Sequence, residues 1–96
     1  MDNNKRAILE AVARAEKELH SFEEQEKGVS HEDIDDDFEK SDFGMNTTAY
    51  IPPRLYEMYK HEDPQLLNCP SDSGGVSNAK YRLTEYGWSI TDERPP

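Results

Sequence analysis

The stretch Asn3–Gly28, NNKRAILEAVARAEKELHSFEEQEKG, decides how the rest of the chain is read. Ala, Leu, Glu, Lys and Arg dominate it, and these residues lose little on entering a helix. Ile8, Val12, Ala15, Leu19 and Phe22 recur at spacings of four and three, which draws one apolar stripe along a helix face. Asn3 or Asn4 suits the cap at its start, and Gly28 supplies the left-handed residue that often ends a helix. Glu10 with Arg14, and Glu23 with Lys27, stand as i,i+4 pairs in the favourable orientation. The expectation is an amphipathic helix over residues 1–28. Its stripe either lines the core or joins a second copy, and a homodimer seam through Ile8, Val12, Ala15, Leu19 and Phe22 is slightly favoured.

Outward from that helix, charge is the dominant feature. Residues 23–42 hold ten acids against Lys27 and Lys40, so this fifth of the chain carries −8 of a formal net charge of −10. Residues 1–22 are neutral and residues 43–96 carry −2. Ser30 with Asp33 has the spacing of a capping box, but only Ile34, Phe38 and Phe43 are apolar here. Clustered carboxylates repel, so residues 29–44 are expected to form a short acidic helix or a loop.

Residues 45–92 read as a compact half containing Tyr50, Tyr56, Tyr59, Tyr81, Tyr86 and Trp88. Thr47 to Ile51 predicts a short strand stopped by Pro52-Pro53, and Pro53 then opens a short helix through Tyr59. Asp63-Pro64 marks a turn, after which Leu66-Leu67 return to the core. Residues 70–78 compose a loop, Lys80 to Thr84 and Trp88 to Thr91 two strands of a hairpin, and residues 93–96 a loose tail. The fold class is therefore α+β in one small domain over residues 1–96. It comprises a long N-terminal helix, an acidic segment, and a small C-terminal hairpin or sheet with a short helix.

Composition excludes several functions. Leu, Ile, Val and Phe number 16 of 96 residues, a low apolar content beside high net charge. No apolar run approaches a membrane span, and no secretory signal is expected. A single cysteine, Cys69, fits a reducing, cytoplasmic setting. A sequence pI near 4.6 argues against direct nucleic-acid binding, because a net anion is repelled by phosphates. Asp33, Asp35 and Asp37 have the spacing that opens an EF-hand loop, but Phe38 and Gly44 occupy the places that need glycine and glutamate. His20, His31, His61 and Cys69 lack the paired spacings of a zinc site. No metal or cofactor is expected, and with no nucleophile–base pair the chain is read as a non-enzyme.

Two local resemblances remain. Ser71-Asp72-Ser73-Gly74-Gly75 resembles the Gly-Asp-Ser-Gly-Gly nucleophile loop of trypsin-like serine proteases, with Ser73 at the catalytic place and Ser71 departing from its first glycine. Ninety-six residues do not supply the two barrels which that mechanism uses, so it reads as a polar turn. Tyr81-Arg82-Leu83-Thr84-Glu85-Tyr86-Gly87 is similar to the stretch leaving the wing of winged-helix transcription regulators. That resemblance implies a strand ending there, with Thr84 capping a helix over residues 84–91 in place of the second strand.

These readings lead to an expected function. It is a small acidic inhibitor or adaptor, in character like phage-encoded inhibitors of host defence, whose carboxylates mimic phosphates on a basic surface of a nucleic-acid-binding protein. Glu32, Asp33, Asp35, Asp36, Asp37 and Glu39 are the candidate contacts, with Phe38, Tyr56, Tyr59 and Trp88 as apolar anchors. The alternatives are an assembly protein that oligomerises through its first helix, and a winged-helix-like DNA-binding accessory module.

Overall fold

The computed structural model describes residues 2–19, 28–70 and 79–93. Helix α1 spans Asn3–Lys17. Its cap is Asp2 and not Asn3 or Asn4: the Asp2 carboxylate accepts the Lys5 N–H at 2.7 Å and places negative charge at the positive end of the helix. The helix closes at Glu18, whose N–H bonds back to Ala15 O, with Arg14 and Lys17 in the last turn. It therefore stops well before Gly28. The pair Glu23–Lys27, Phe22 and His20 lie outside the described residues.

The buried face of α1 is broader than the stripe. Ile8, Leu9, Ala11, Val12, Ala13 and Glu16 are all buried, because the small Ala11 and Ala13 let neighbouring elements approach on both flanks. Ile8 and Val12 are fully enclosed within one chain, packed where α1 meets a later helix and strand. These two residues thus belong to the chain's own core and are withdrawn from the expected dimer seam. Ala15 and Leu19 remain half-buried at its edge.

Residues 30–44 are built from three short turns. Two 3-10 turns, His31–Asp33 and Asp35–Asp37, flank the fully buried Ile34. Helix α2, Lys40–Phe43, follows and ends at Gly44 with a left-handed φ of 73°. The Ser30 N–H donates to the Asp33 carboxylate at 2.9 Å, and the Glu39 N–H to that of Asp42 at 2.8 Å. With one strongly buried apolar side chain among seven acids, single capped turns form where a continuous helix would stack like charges.

The largest departure from the sequence reading is helix α3, Thr47–Lys60, which includes Thr47–Ile51 and both prolines. Asn46 caps it, accepting the Thr48 N–H at 3.1 Å. Pro52 and Pro53 lack the N–H groups that would bond to Thr48 and Ala49, and both of those residues are exposed, where solvent can take the place of the missing donors. Burial of Ile51, Pro52, Leu55 and Met58 on one face holds the helix through the diproline. Asp63-Pro64 forms a turn, and Leu66 and Leu67 then enter the core, as expected.

Strand β1, Leu67–Asn68, pairs antiparallel with β2, Arg82–Leu83, in the register Leu67↔Leu83 and Asn68↔Arg82. On the other edge Val29 and Tyr81 exchange both backbone hydrogen bonds at 2.7 Å. Residues 81–83 therefore run between Val29 and β1. The expected hairpin to Trp88–Thr91 is absent. Residues 88–90 belong instead to helix α4, Glu85–Ile90, which Thr91 closes and Thr84 caps, its Oγ1 accepting the Gly87 N–H at 3.0 Å and donating to Gln65 O at 2.6 Å. This capping overrides the β-branched character of residues 90–91. The loop expected at 70–78, the Ser71–Gly75 motif and the tail beyond Glu93 fall outside the described residues, apart from Pro70. The result is a small α+β fold, and among the described residues no helix is long and apolar enough to cross a membrane.

Candidate functional site

The three turns of residues 30–43 present carboxylates outward. Glu32, Asp33, Asp36, Asp37, Glu39 and Asp42 are exposed. Asp33 and Asp42 turn back to cap their own turns, so their carboxylates are partly engaged. Glu32, Asp36 and Asp37 make neither an ion pair nor a side-chain hydrogen bond among the described residues; Glu39 makes no ion pair there, but its carboxylate accepts the Asp42 N–H in the capping box of α2. Asp35 differs from its neighbours. Its side chain is 17% exposed, Oδ2 lies 3.0 Å from His31 Nδ1, and Oδ1 is buried without a hydrogen-bond partner. Asp35 thus links the two 3-10 turns to each other and is removed from the outward face predicted for it.

The charges of α1 contrast with this. Lys5 bridges Glu57 and Glu62 at 3.0 Å each, Arg6 pairs with Glu10 at 3.2 Å, and Lys17 with Glu93 at 2.8 Å. The hydrogen bond from Lys5 holds the Glu57 carboxyl below the usual carboxylate range, and that from Lys17 does the same for Glu93. All four basic residues of α1 are committed to acids outside the 30–43 segment, Arg14 reaching Glu93 at 4.0 Å. The carboxylates at 32–39 are left to repel one another. Raising salt from about 0.1 M to about 1 M shrinks the Debye length from about 10 Å to about 3 Å. We therefore expect the melting temperature to rise by several degrees over that range. A fall would mean that the α1 ion pairs outweigh the repulsion.

The predicted apolar anchors divide into separate groups. Phe38 packs against Phe43, with ring centroids 5.1 Å apart, and Phe43 stacks on Tyr50 at 4.4 Å and 10°. Arg54 lies over Tyr50, 4.6 Å from the ring centroid. Tyr56 and Tyr59 belong elsewhere, meeting each other edge-on at 6.2 Å, and Tyr59 meets Tyr81 at 6.0 Å. Trp88 is half-buried on α4. So Phe38 sits with the carboxylates, whereas Tyr56, Tyr59 and Trp88 are not gathered into the same stack. The Tyr81 hydroxyl is buried without a partner, and its pKa is pushed up to about 12, chiefly by burial. It serves the core.

Phe43, Tyr50 and Arg54 escape a sequence reading because Thr47–Ile51 looks like a strand. A helix puts Tyr50 and Arg54 at i,i+4, and that spacing is the signal for their contact. The Asp33, Asp35 and Asp37 carboxylates are directed to Ser30, to His31 and outward, and among the described residues no group of three or more His, Cys, Asp or Glu could hold a metal. No known protein family, curated protein or solved structure matches this chain.

Proposed function

We propose that this chain is a small acidic protein-binding module that occupies a basic, nucleic-acid-binding surface of a partner protein, with the carboxylates of residues 32–42 standing in for backbone phosphates. The unequal pairing of charge carries this reading. Every basic residue of α1 has an acidic partner, while Glu32, Asp36, Asp37 and Glu39 have no basic partner among the described residues. A like-charged patch on short capped turns steers a cationic surface towards it and keeps a fixed spacing when the two meet. Blocking such a surface needs no catalytic group.

The triple variant Asp36→Asn, Asp37→Asn, Glu39→Gln removes three charges and spares the Asp33 and Asp42 caps and the Asp35–His31 contact. With a partner captured from the source cells, identified and purified, the variant is expected to bind at least tenfold more weakly at about 0.1 M salt. The gap should narrow towards about 1 M, as screening shortens the reach of each charge. Equal affinity for the variant and the parent would overturn the reading.

A winged-helix-like DNA-binding module is the second reading, and one observation favours it. The order of the described elements is α1, the bridging Val29, short turns, α3, β1, β2 and α4, with residues 81–83 between Val29 and β1. Thr84 caps α4, as the Tyr81–Gly87 resemblance implies. In that family the start of a helix such as α3 enters the major groove, which here would present Asn46 to Ala49. Net charge opposes such docking at low salt. A duplex retarded by the parent at about 1 M KCl, and released by Thr48→Glu, would favour this reading over the first.

A further inference from the structure

Helix α4 hands the chain to a short turn, residues 91–93, whose two acids reach across to α1. Lys17 Nζ meets Glu93 Oε2 at 2.8 Å, Arg14 Nη1 meets Glu93 Oε1 at 4.0 Å, and Arg6 Nη2 meets Asp92 Oδ1 at 3.9 Å. Arg6, Arg14 and Lys17 fall along one face of the helix, spread over about 16 Å of its length. The turn is folded on itself. Thr91 Oγ1 donates to Trp88 O at 2.9 Å and accepts the Glu93 N–H at 3.3 Å, so these bonds stay within residues 88–93. Among the described residues, no backbone hydrogen bond joins Asp92 or Glu93 to α1 or to any other element.

We propose that residues 91–93 form an electrostatically held strap, closed over the basic face of α1 at low ionic strength and lifted from it as salt rises, with Thr91 as the hinge. The two sides of the hinge are held by different forces. Before it, α4 is anchored by burial, with Gly87 buried and Trp88 and Ile90 packed against the core, and salt does not weaken that contact. After it, ion pairs are the ties to α1, and they are open to water: the Arg6, Arg14 and Asp92 side chains are 51%, 50% and 89% exposed. Pairs so exposed each contribute little and are readily screened, so a segment held chiefly by them detaches while the fold stands. Closure neutralises the face. Opening returns Arg6, Arg14 and Lys17 to solvent with Glu10 beside Arg6, and only then does α1 present a net positive surface to an anion. The strap is in this sense an autoinhibitory contact, and it involves none of the residues of the acidic-face reading.

Backbone amide NMR relaxation of the unaltered chain tests this directly. The heteronuclear NOE of Asp92 and Glu93 is expected to match that of α1 at about 0.1 M salt and to fall by at least half at about 1 M, while Trp88 and α1 keep theirs. Asp92→Asn with Glu93→Gln should give the low value already at the lower salt and show no further response. Acylation of the Lys17 amine by a small ester, counted by mass spectrometry against the exposed Lys40, should be at least threefold faster in that variant than in the parent. The two rates should converge at the higher salt. The NOE separates a strap from ion pairs on a turn that stays in place, because removing such pairs would leave that backbone rigid. Values at Asp92 and Glu93 that are low in the parent at both salts, or high in parent and variant alike, overturn the strap. So does a Lys17 acylation rate that the variant leaves unchanged.

Discussion

Replacing Gly28 by alanine is expected to cost about 3 kcal/mol of stability and lower the melting temperature by about 15 °C. Two effects combine. Gly28 has a φ of 90°, a conformation that an L side chain adopts only at a cost of about 1–2 kcal/mol. A Cβ there would also lie 2.5 Å from Tyr81 O and 2.9 Å from Tyr81 C, both backbone atoms. That oxygen accepts the Val29 N–H, so any shift which relieves the clash loosens the bridge on that edge of β2. Gly44 provides the control. Its φ is 73°, but a Cβ added to it meets nothing within 4 Å. Gly44→Ala should cost only the conformational part, about 1 kcal/mol. Thermal melts by circular dichroism separate the two, and equal losses would show that the approach to Tyr81 adds nothing.

A second large effect is expected at Glu16. It is 3% exposed, accepts the Leu83 N–H at 2.9 Å, and has Arg82 Nε at 3.9 Å. Glu16→Leu leaves that N–H buried without an acceptor and should cost about 2–3 kcal/mol. Glu16→Gln keeps an acceptor and removes the buried charge. Burial raises the Glu16 carboxyl above the ordinary value of 4.5, with the Leu83 N–H and Arg82 partly offsetting it. Because the folded pKa lies above the unfolded one, the folded state holds the proton more tightly. The contribution of Glu16 to stability is then greatest below the unfolded value and declines as pH rises through the folded value. Glu57 and Glu93, whose carboxyls are held low by Lys5 and Lys17, act in the opposite direction and lose their contribution as pH falls. They cancel when the Gln variant is compared with its parent. In urea unfolding, the stability of Glu16→Gln relative to the parent should improve from pH 4 to pH 7. A constant difference across that range would refute the assignment.

The parts of the fold legible in the sequence are those settled by near neighbours. The body of α1, the Ser30–Asp33 interaction, the return of Leu66-Leu67 and the strand ending at Leu83 all rest on residues a few positions apart. Thr47–Ile51 misleads because β-branched residues before two prolines are strong local signals. They are outweighed by packing of Ile51, Leu55 and Met58 against distant parts of the chain. Residues 88–91 mislead similarly, although the Thr84 cap was visible through the winged-helix resemblance. The outward direction of Glu32, Asp36, Asp37 and Glu39 follows from charge clustering alone. The inward turn of Asp35 does not, since it depends on His31 and on a body that only the folded chain supplies. Glu16 was the least legible of all. It reads as one charge among many on a helix, yet by strand alternation the Leu83 N–H points to the Val29 edge, where Glu16 serves as the acceptor a neighbouring strand would provide.

The placement of residues 81–83 between Val29 and β1 also governs how a nascent chain matures on the ribosome. Val29 needs Tyr81, Glu16 needs Leu83, and the Leu66 carbonyl receives the Thr84 N–H, so segments made early wait for the last fifth of the chain. At about 5–20 residues per second, that wait lasts several seconds with the apolar faces of α1 and α3 uncovered. The acidic run of residues 32–42 is synthesised between those two faces. Clustered like charge of this kind disfavours association between unfinished copies during that interval.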